Sequence, residues 1–394
     1  MPPRNLDSAV CQAFLELEHW QPLTKILPPE ELLDHKKALF PLFSHLYYKT
    51  KELYHKLPPR KNGENPFLHP LNVVWNLKKA NVQDDIAFGV GLLHDYVEEL
   101  VDLYRQDQHI PKGRDGFPFL ERYERQVFQE LEADLRSVCS TYHLKASVPA
   151  TVIQTLKLLT RHKRDFYYRS IAAIFTCPDR ELKERALQVK LADRMHNILS
   201  VQNFGEEERM YQCFKNLFIL NNAKKFIIDN YTPGRLSGKE ISPTEKLFKK
   251  SGKATYDAFF TVLRLCSEPG FDNVYSILHL AFRKFAIERQ GLQGVTEINP
   301  RERHPLRLYQ GVVRKYDARL HHKYDTFDQL KKEEIGYCRS FFKDYHLTQR
   351  QLRSLVDYKD AYSLKEVVAL LLYQPDYYIS HFLCTDLFTE KKKR

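Results

Sequence analysis

The stretch 84–100, DDIAFGVGLLHDYVEEL, places Ile86, Val90, Leu93 and Val97 at intervals of four, three and four residues. Residues so spaced share one face of an α-helix; the two faces of a strand alternate every second residue and cannot collect them. Asp84 or Asp85 supplies an N-cap, because a short acceptor side chain can take a free first-turn N–H. The periodicity returns in CPDRELKERALQVKLADRMHNIL (177–199), with Pro178 and Asp179 at its head and Leu182, Ala186 and Val189 on its inner face. ATVIQTLKLLTRH, DAFFTVLRLC and SLKEVVALLLY read the same way. Only 14 of 394 residues are glycine, too few for a turn-rich β fold. The expected fold class is all-α, a helical bundle with an additional helical C-terminal domain.

The segment NYTPGRLSGKEISPTEK (230–246) gathers Pro, Gly and Ser and is the best candidate linker. The expected division is a first domain over 1–230, a linker over 231–254 and a C-terminal domain over 255–394. No apolar run approaches the roughly 20 residues that span a bilayer, so no membrane partner is expected. The N-terminus MPPRNLDSAV lacks the apolar core of a signal peptide, and the expected location is the cytoplasm. The seven cysteines form no C-x-x-C pair and fit reduced, mostly buried thiols. The net charge of +11 is uneven: residues 241–394 hold 27 Lys/Arg against 19 Asp/Glu. Such a surplus can draw in nucleic acid, phosphorylated ligands or an acidic partner, and equally fits a solvated face with a basic tail.

The chemistry concentrates around the first helix. His94 and Asp95 are adjacent, about 100° apart on a helix, so both can flank one point beyond its surface. A divalent cation there could take an imidazole nitrogen and a carboxylate oxygen. Glu98 and Glu99, one turn on, would lie near a water that it bound. Two ligands do not make a site. Upstream, RKNGENPFLHPLNVVWNL (60–77) sets His69 before Pro70 at a helix start; downstream, Asp193 sits in the apolar helix VKLADRMHNIL. Each has a plain alternative: His69 as a helix-end histidine, Asp193 as a buried partner of Lys190 or Arg194. An uncompensated buried carboxylate is costly, so something must answer Asp193.

In order, the three pieces read H…HD…D, which resembles the HD-domain metal phosphohydrolases. RKNGENPFLHP, LLHDYVEE and VKLADRMHN resemble the hydrolase domain of the RelA/SpoT family, which removes pyrophosphate from (p)ppGpp. The resemblance spans roughly 35–230. It implies an HD-domain helical bundle, one Mn²⁺ held by His69, His94, Asp95 and Asp193, and catalytic carboxylates at Glu98 and Glu99. It also implies a nucleotide pocket with Arg60, Lys61, Asn62 and Asn197. His196, near the same face as Asn197, reads as a supporting or packing histidine. LTRHKRDFYYRSI (159–171) adds Arg161, Tyr167 and Tyr168, either gripping phosphates and stacking a ring or forming a solvated loop. The chain departs from its relatives in three ways. It has EEL where they have EDT, Asn62 where they have Ser, and an insertion at about 102–145 that could act as a lid or alter substrate choice. The family's synthetase segments and a Gly-rich phosphate loop are absent.

The resemblance thus implies hydrolysis of the 3′-pyrophosphate of (p)ppGpp to GDP or GTP and pyrophosphate. Alternatives are an HD phosphohydrolase for another nucleotide, such as NADPH, or a nucleotide-sensing regulator with a weak or inactive site. A further alternative is nucleic-acid binding by the C-terminal part, where RLYQGVVRKYDARLHHKY interleaves rings and cations.

Overall fold

The computed structural model describes residues 20–162, 167–231, 241–287, 295, 297–302 and 304–379. Among them every regular element is a helix. They divide into two compact units, one formed by 20–197 and 241–251, the other by 198–231 and 252–379.

The first unit contains α1 (Pro29–Leu32), α2 (Phe40–Tyr54), α3 (Leu68–Lys79), α4 (Asp85–Leu93), α5 (Tyr96–Asp107), α6 (Phe117–Thr141), α7 (Val148–Leu159), α8 (Tyr167–Thr176) and α9 (Arg180–Ile198). Helix α4 is its centre and packs against α2, α3 and α7. Asp84 caps it, accepting the Ile86 N–H at 3.0 Å, and also meets Arg185 of α9 at 2.5 Å. Residues Ala87 to Leu93 are all buried, so α4 is apolar all round instead of amphipathic. Gly91 lets α3 come close, since a Cβ there would stand 3.2 Å from Leu77 Cδ1 and 3.3 Å from Val74 Cγ2. That contact brings the start of α3, with His69, toward the end of α4, with His94.

The single helix expected over 84–100 is two helices. α4 stops at Leu93, and α5 starts at Tyr96 after Asp95, whose backbone (φ −105°, ψ −1°) lies outside the regular helical well. The residues given for the insertion, 102–145, comprise the end of α5, the connection that follows it, the long helix α6 and the residues just after it. Its buried stripe, Leu120, Val127, Phe128, Leu131, Leu135 and Val138, joins the core, and it packs against α2, α5 and α7.

The expected linker is corrected over its second half. Residues 243–254 begin helix α11 (Pro243–Ser267). Pro243 is suited to a first turn, where its missing N–H costs nothing, and the Ser242 hydroxyl accepts the Glu245 N–H at 3.2 Å. Leu247 and Phe248 are buried, and polar composition around 230–246 concealed this apolar anchor. Residues 232–240 lie outside the described part. The expected boundary at 230 also differs from the observed one, which falls at the end of α9; α10 (Glu206–Asn230) groups with the C-terminal helices.

In the second unit, α10 and the rest of α11 join α12 (Asp272–Ile287), α13 (Val312–Leu320), α14 (Tyr324–Phe341) and α15 (Gln349–Tyr373). Helix α15 packs against α10, α13 and α14 and opens on a capping box between Thr348 and Gln351. A buried ionic cluster lies in this unit. Lys315 contacts Glu334 and Asp360; Lys359 contacts Glu334 at 2.5 Å and Asp360 at 2.7 Å. The Tyr316 hydroxyl donates to Asp360 at 3.1 Å.

No helix among the described residues is long and apolar enough to cross a membrane. Of the five described cysteines, Cys139, Cys177, Cys213 and Cys338 are buried; all five are free thiols.

Candidate metal centre

Four residues from three distant segments meet in the first unit. His69 comes from the first turn of α3, His94 and Asp95 from the α4–α5 junction, and Asp193 from the last turns of α9. The two Nε2 atoms are 3.1 Å apart. Asp95 Oδ2 lies 3.2 Å from His94 Nε2 and 3.4 Å from His69 Nε2. Asp193 Oδ1 lies 3.4 Å from His69 Nε2 and 3.8 Å from His94 Nε2. His69, His94 and Asp95 each offer one ligand atom within 4.8 Å of the others, close enough to share one ion. His94 and Asp95 flank this point from the α4–α5 junction, as adjacent residues about 100° apart can.

The outer ring nitrogens have partners of their own. His94 Nδ1 lies 2.8 Å from the Gly91 carbonyl, which can only accept, so Nδ1 carries the proton and Nε2 is the metal-facing atom. His69 Nδ1 lies 3.0 Å from His196 Nδ1. Burial, with the neighbouring His69 and Arg60 charges, pushes His196 down to about 2, so it is neutral and can accept from His69. His196 therefore orients the His69 ring.

The centre is rich in negative charge. Burial alone would lower the His94 pKa, but Asp95, Asp193 and the Gly91 carbonyl lift it to about 9. Burial raises the Asp95 carboxyl, and His94 and His69 outweigh it, leaving Asp95 well below the usual range. Burial likewise raises Asp193, which Lys190 and His69 pull down. The surroundings that favour a proton on His94 suit a divalent cation in its place. Two imidazoles and two carboxylates are a borderline-to-hard donor set that fits Mn²⁺, among other divalent metals. Only Asp95 is appreciably open, with 29% of its side chain exposed against 3% or less for the other three, so access is from its side.

Asp193 has additional partners. Its Oδ2 pairs with Lys190 Nζ at 2.8 Å, and its Oδ1 accepts from Asn197 Nδ2 at 2.6 Å. The plain alternative for Asp193, a pair with Lys190, thus coexists with its place beside the imidazoles. Asn197 Oδ1 in turn accepts from Arg60 at 2.7 Å, which ties the 60–64 turn to α9. Lys61 and Asn62 are exposed. The Asn62 side chain accepts the Glu64 N–H at 3.1 Å, so it closes the turn.

Glu98 and Glu99 occupy the first turn of α5, both half-buried. Glu98 Oε1 accepts the Arg161 N–H at 2.7 Å, and its Oε2 lies 3.9 Å from Arg161 Nε. Tyr167 is half-buried at the start of α8, near enough to Lys190 to affect its charge, and Tyr168 is buried. Lys163 and Arg164 lie outside the described residues. Sequence reasoning missed Tyr54, whose buried hydroxyl has no hydrogen-bond partner. Burial and the charges of Asp95 and Glu99 push its pKa well up. It also missed the bond between His162 Nδ1 and Glu124 Oε1 at 2.5 Å. An acid on the apolar stripe of 117–141 was the available signal.

No protein family, curated protein or solved structure matches the chain.

Proposed function

We propose that this chain is an HD-type, metal-dependent phosphohydrolase that removes the 3′-pyrophosphate of (p)ppGpp, giving GDP or GTP and pyrophosphate. One observation carries the reading: His69, His94, Asp95 and Asp193, scattered over 125 positions of sequence, converge, with an oxygen of each carboxylate 3.2 to 3.8 Å from the two Nε2 atoms and these 3.1 Å from each other. The four are the expected holders of one Mn²⁺. When bound, such a cation acidifies a water and polarises a phosphate oxygen.

The chain's own residues then divide the work. Glu98 or Glu99 accepts the proton of the attacking water. The water oxygen bonds to the phosphorus attached to the 3′ oxygen, the O3′–P bond breaks, and the 3′ oxygen takes up the proton released by that glutamate and leaves as the nucleotide hydroxyl. Arg60 and Lys61 bind phosphate or stack on the base, with Arg60 steadied by Asn197. The Arg161 guanidinium, 44% exposed, binds solvent-borne phosphate through its outer nitrogens, while its Nε lies 3.9 Å from Glu98 Oε2 and its main-chain N–H holds Glu98 Oε1.

The test is pyrophosphate release from ppGpp with Mn²⁺, in a panel with NADPH and other phosphorylated nucleotides. Turnover that disappears in Asp95→Ala supports the reading; no metal-dependent turnover of any nucleotide overturns it. A second reading, nucleotide sensing without turnover, draws on the Lys190–Asp193 pair, which compensates Asp193 with no cation present. Nucleotide binding that is indifferent to Mn²⁺ and to chelator would favour it.

A further inference from the structure

Helix α6 carries an acid where its pattern calls for an apolar side chain. Leu120, Glu124, Val127, Phe128 and Leu131 form one buried stripe, and Glu124 is 7% exposed. A leucine there would bury apolar area at no electrostatic cost, whereas a buried carboxylate needs compensation. Its hydrogen-bond partner is His162 Nδ1, at 2.5 Å. His162 belongs to the short turn after α7, and the residue before it, Arg161, gives its N–H to Glu98. Glu124, His162, Arg161 and Glu98 thus form a chain of contacts from the extra helix to the first turn of α5.

The helix that supplies Glu124 is anchored on two further sides. Asp134 meets His45 at 2.9 Å and Lys49 at 3.1 Å, both on α2. Tyr123 stacks on Tyr104 of α5 with centroids 3.9 Å apart and planes 12° apart. So α6 is clamped to the very helix that carries Glu98 and Glu99. This is the geometry of a fixed wall and not of a lid.

We propose that Glu124 is a positioning residue for Glu98: through His162 it fixes the turn after α7, and that turn presents the Arg161 N–H that holds the Glu98 carboxylate. The role rests on the hydrolase reading, in which Glu98 handles the proton of water. It gives the 102–145 segment a catalytic purpose that the rest of the chain does not supply.

The experiment compares full-length wild type with Glu124→Ala, Glu124→Gln, His162→Ala and the Glu124→Ala/His162→Ala double variant. Hydrogen–deuterium exchange over 158–162 reports the Arg161 amide, and steady-state kinetics with ppGpp and Mn²⁺ report kcat and KM. Misplacing a reacting group by a fraction of an ångström costs roughly tenfold to a hundredfold in rate, so Glu124→Ala should lower kcat by about that factor. Mn²⁺ affinity should stay within roughly twofold, because none of the four proposed metal holders is altered, whereas KM should rise modestly, because Arg161 sits on the same segment. Exchange at 158–162 should accelerate in step. Glu124→Gln, which keeps an acceptor for His162, should restore most of both, and the double variant should be no worse than either single one. Unchanged exchange in Glu124→Ala, additive losses in the double variant, or equal damage to kcat and Mn²⁺ affinity would each overturn the proposal. If wild type turns over no nucleotide, the hydrolase reading fails by itself, and the exchange data still decide whether Glu124 holds the Arg161 turn.

Discussion

Each unit buries an ionic cluster, and the two are built on opposite plans. In the second unit Lys315 and Lys359 face Glu334 and Asp360, two cations against two anions, and each ammonium touches both carboxylates. Burial alone would lower the Lys359 pKa, but Asp360 and Glu334 raise it. Burial alone would raise the Asp360 pKa, but the two lysines lower it. In such a cluster every charge is answered by an opposite one inside the fold. In the first unit one fixed cation, Lys190, faces two carboxylates, and the second positive charge is a removable proton on His94, whose pKa they lift to about 9. Fixed charges lock a core, while a site balanced by a proton can exchange it for a metal cation.

The comparison can be broken most forcefully at Asp360. Asp360→Ala leaves two buried ammonium groups with Glu334 alone and should cost about 3–5 kcal/mol, read from urea unfolding. Mn²⁺ should not relieve that loss.

Asp95→Ala should act the other way round. Removing one of the matched ligands should cost more than roughly a hundredfold in pyrophosphate release, since even partners outside the ligand set matter by 10–100-fold. Wild type should gain about 2.7 kcal/mol of stability at a hundredfold excess of Mn²⁺ over its Kd, and Asp95→Ala should show no such gain. Chelator should reproduce the variant's behaviour in wild type. A metal response surviving in Asp95→Ala would dissolve the contrast between the clusters.

His196→Ala removes the acceptor for His69 Nδ1 without touching a ligand. Calorimetric titration should show Mn²⁺ affinity reduced by about 10–100-fold.

The smallest effect concerns a pair that is neither closed in nor metal-facing. Burial raises the Asp134 carboxyl slightly, and hydrogen bonds from His45 and Lys49 pull it below its ordinary value. A depressed carboxylate stabilises fully above its unfolded pKa, near 3.9, and loses that contribution as the pH falls through the lower folded value. Asp134→Asn should cost at most about 1 kcal/mol at pH 7, and the deficit should shrink below about pH 4.

Much of the helical framework was legible in sequence because it follows from local spacing. Asp84 as a cap, Asp179 at the head of α9 and the helices at 150–159 and 363–373 all rest on contacts within a few residues. The proximity of His69, His94, Asp95 and Asp193 was legible only through resemblance, since no local rule joins 69 to 193. The break at 94–95 was hidden because Val97 continues the apolar spacing across it. The start of α11 was hidden because Pro243 and Ser242 look like loop residues until Leu247 and Phe248 are seen buried. Neither Glu124–His162 nor the Lys315–Asp360 contact could be anticipated, since each joins residues 38 or 45 positions apart in separate segments.

The junction at His94–Asp95 also resets helical phase. In one long rod, any twist at Leu93 would swing Glu98 and Glu99 through the same angle as the histidine. With two rods meeting at the ligand pair, the roll of α5 sets the carboxylates and the roll of α4 sets His94. On the proposed hydrolase reading, the ion-holding and proton-handling halves of the site therefore have separate adjustments. Repacking changes around Val90 should shift metal affinity, those around Val101 the rate of turnover, with little crossover between them.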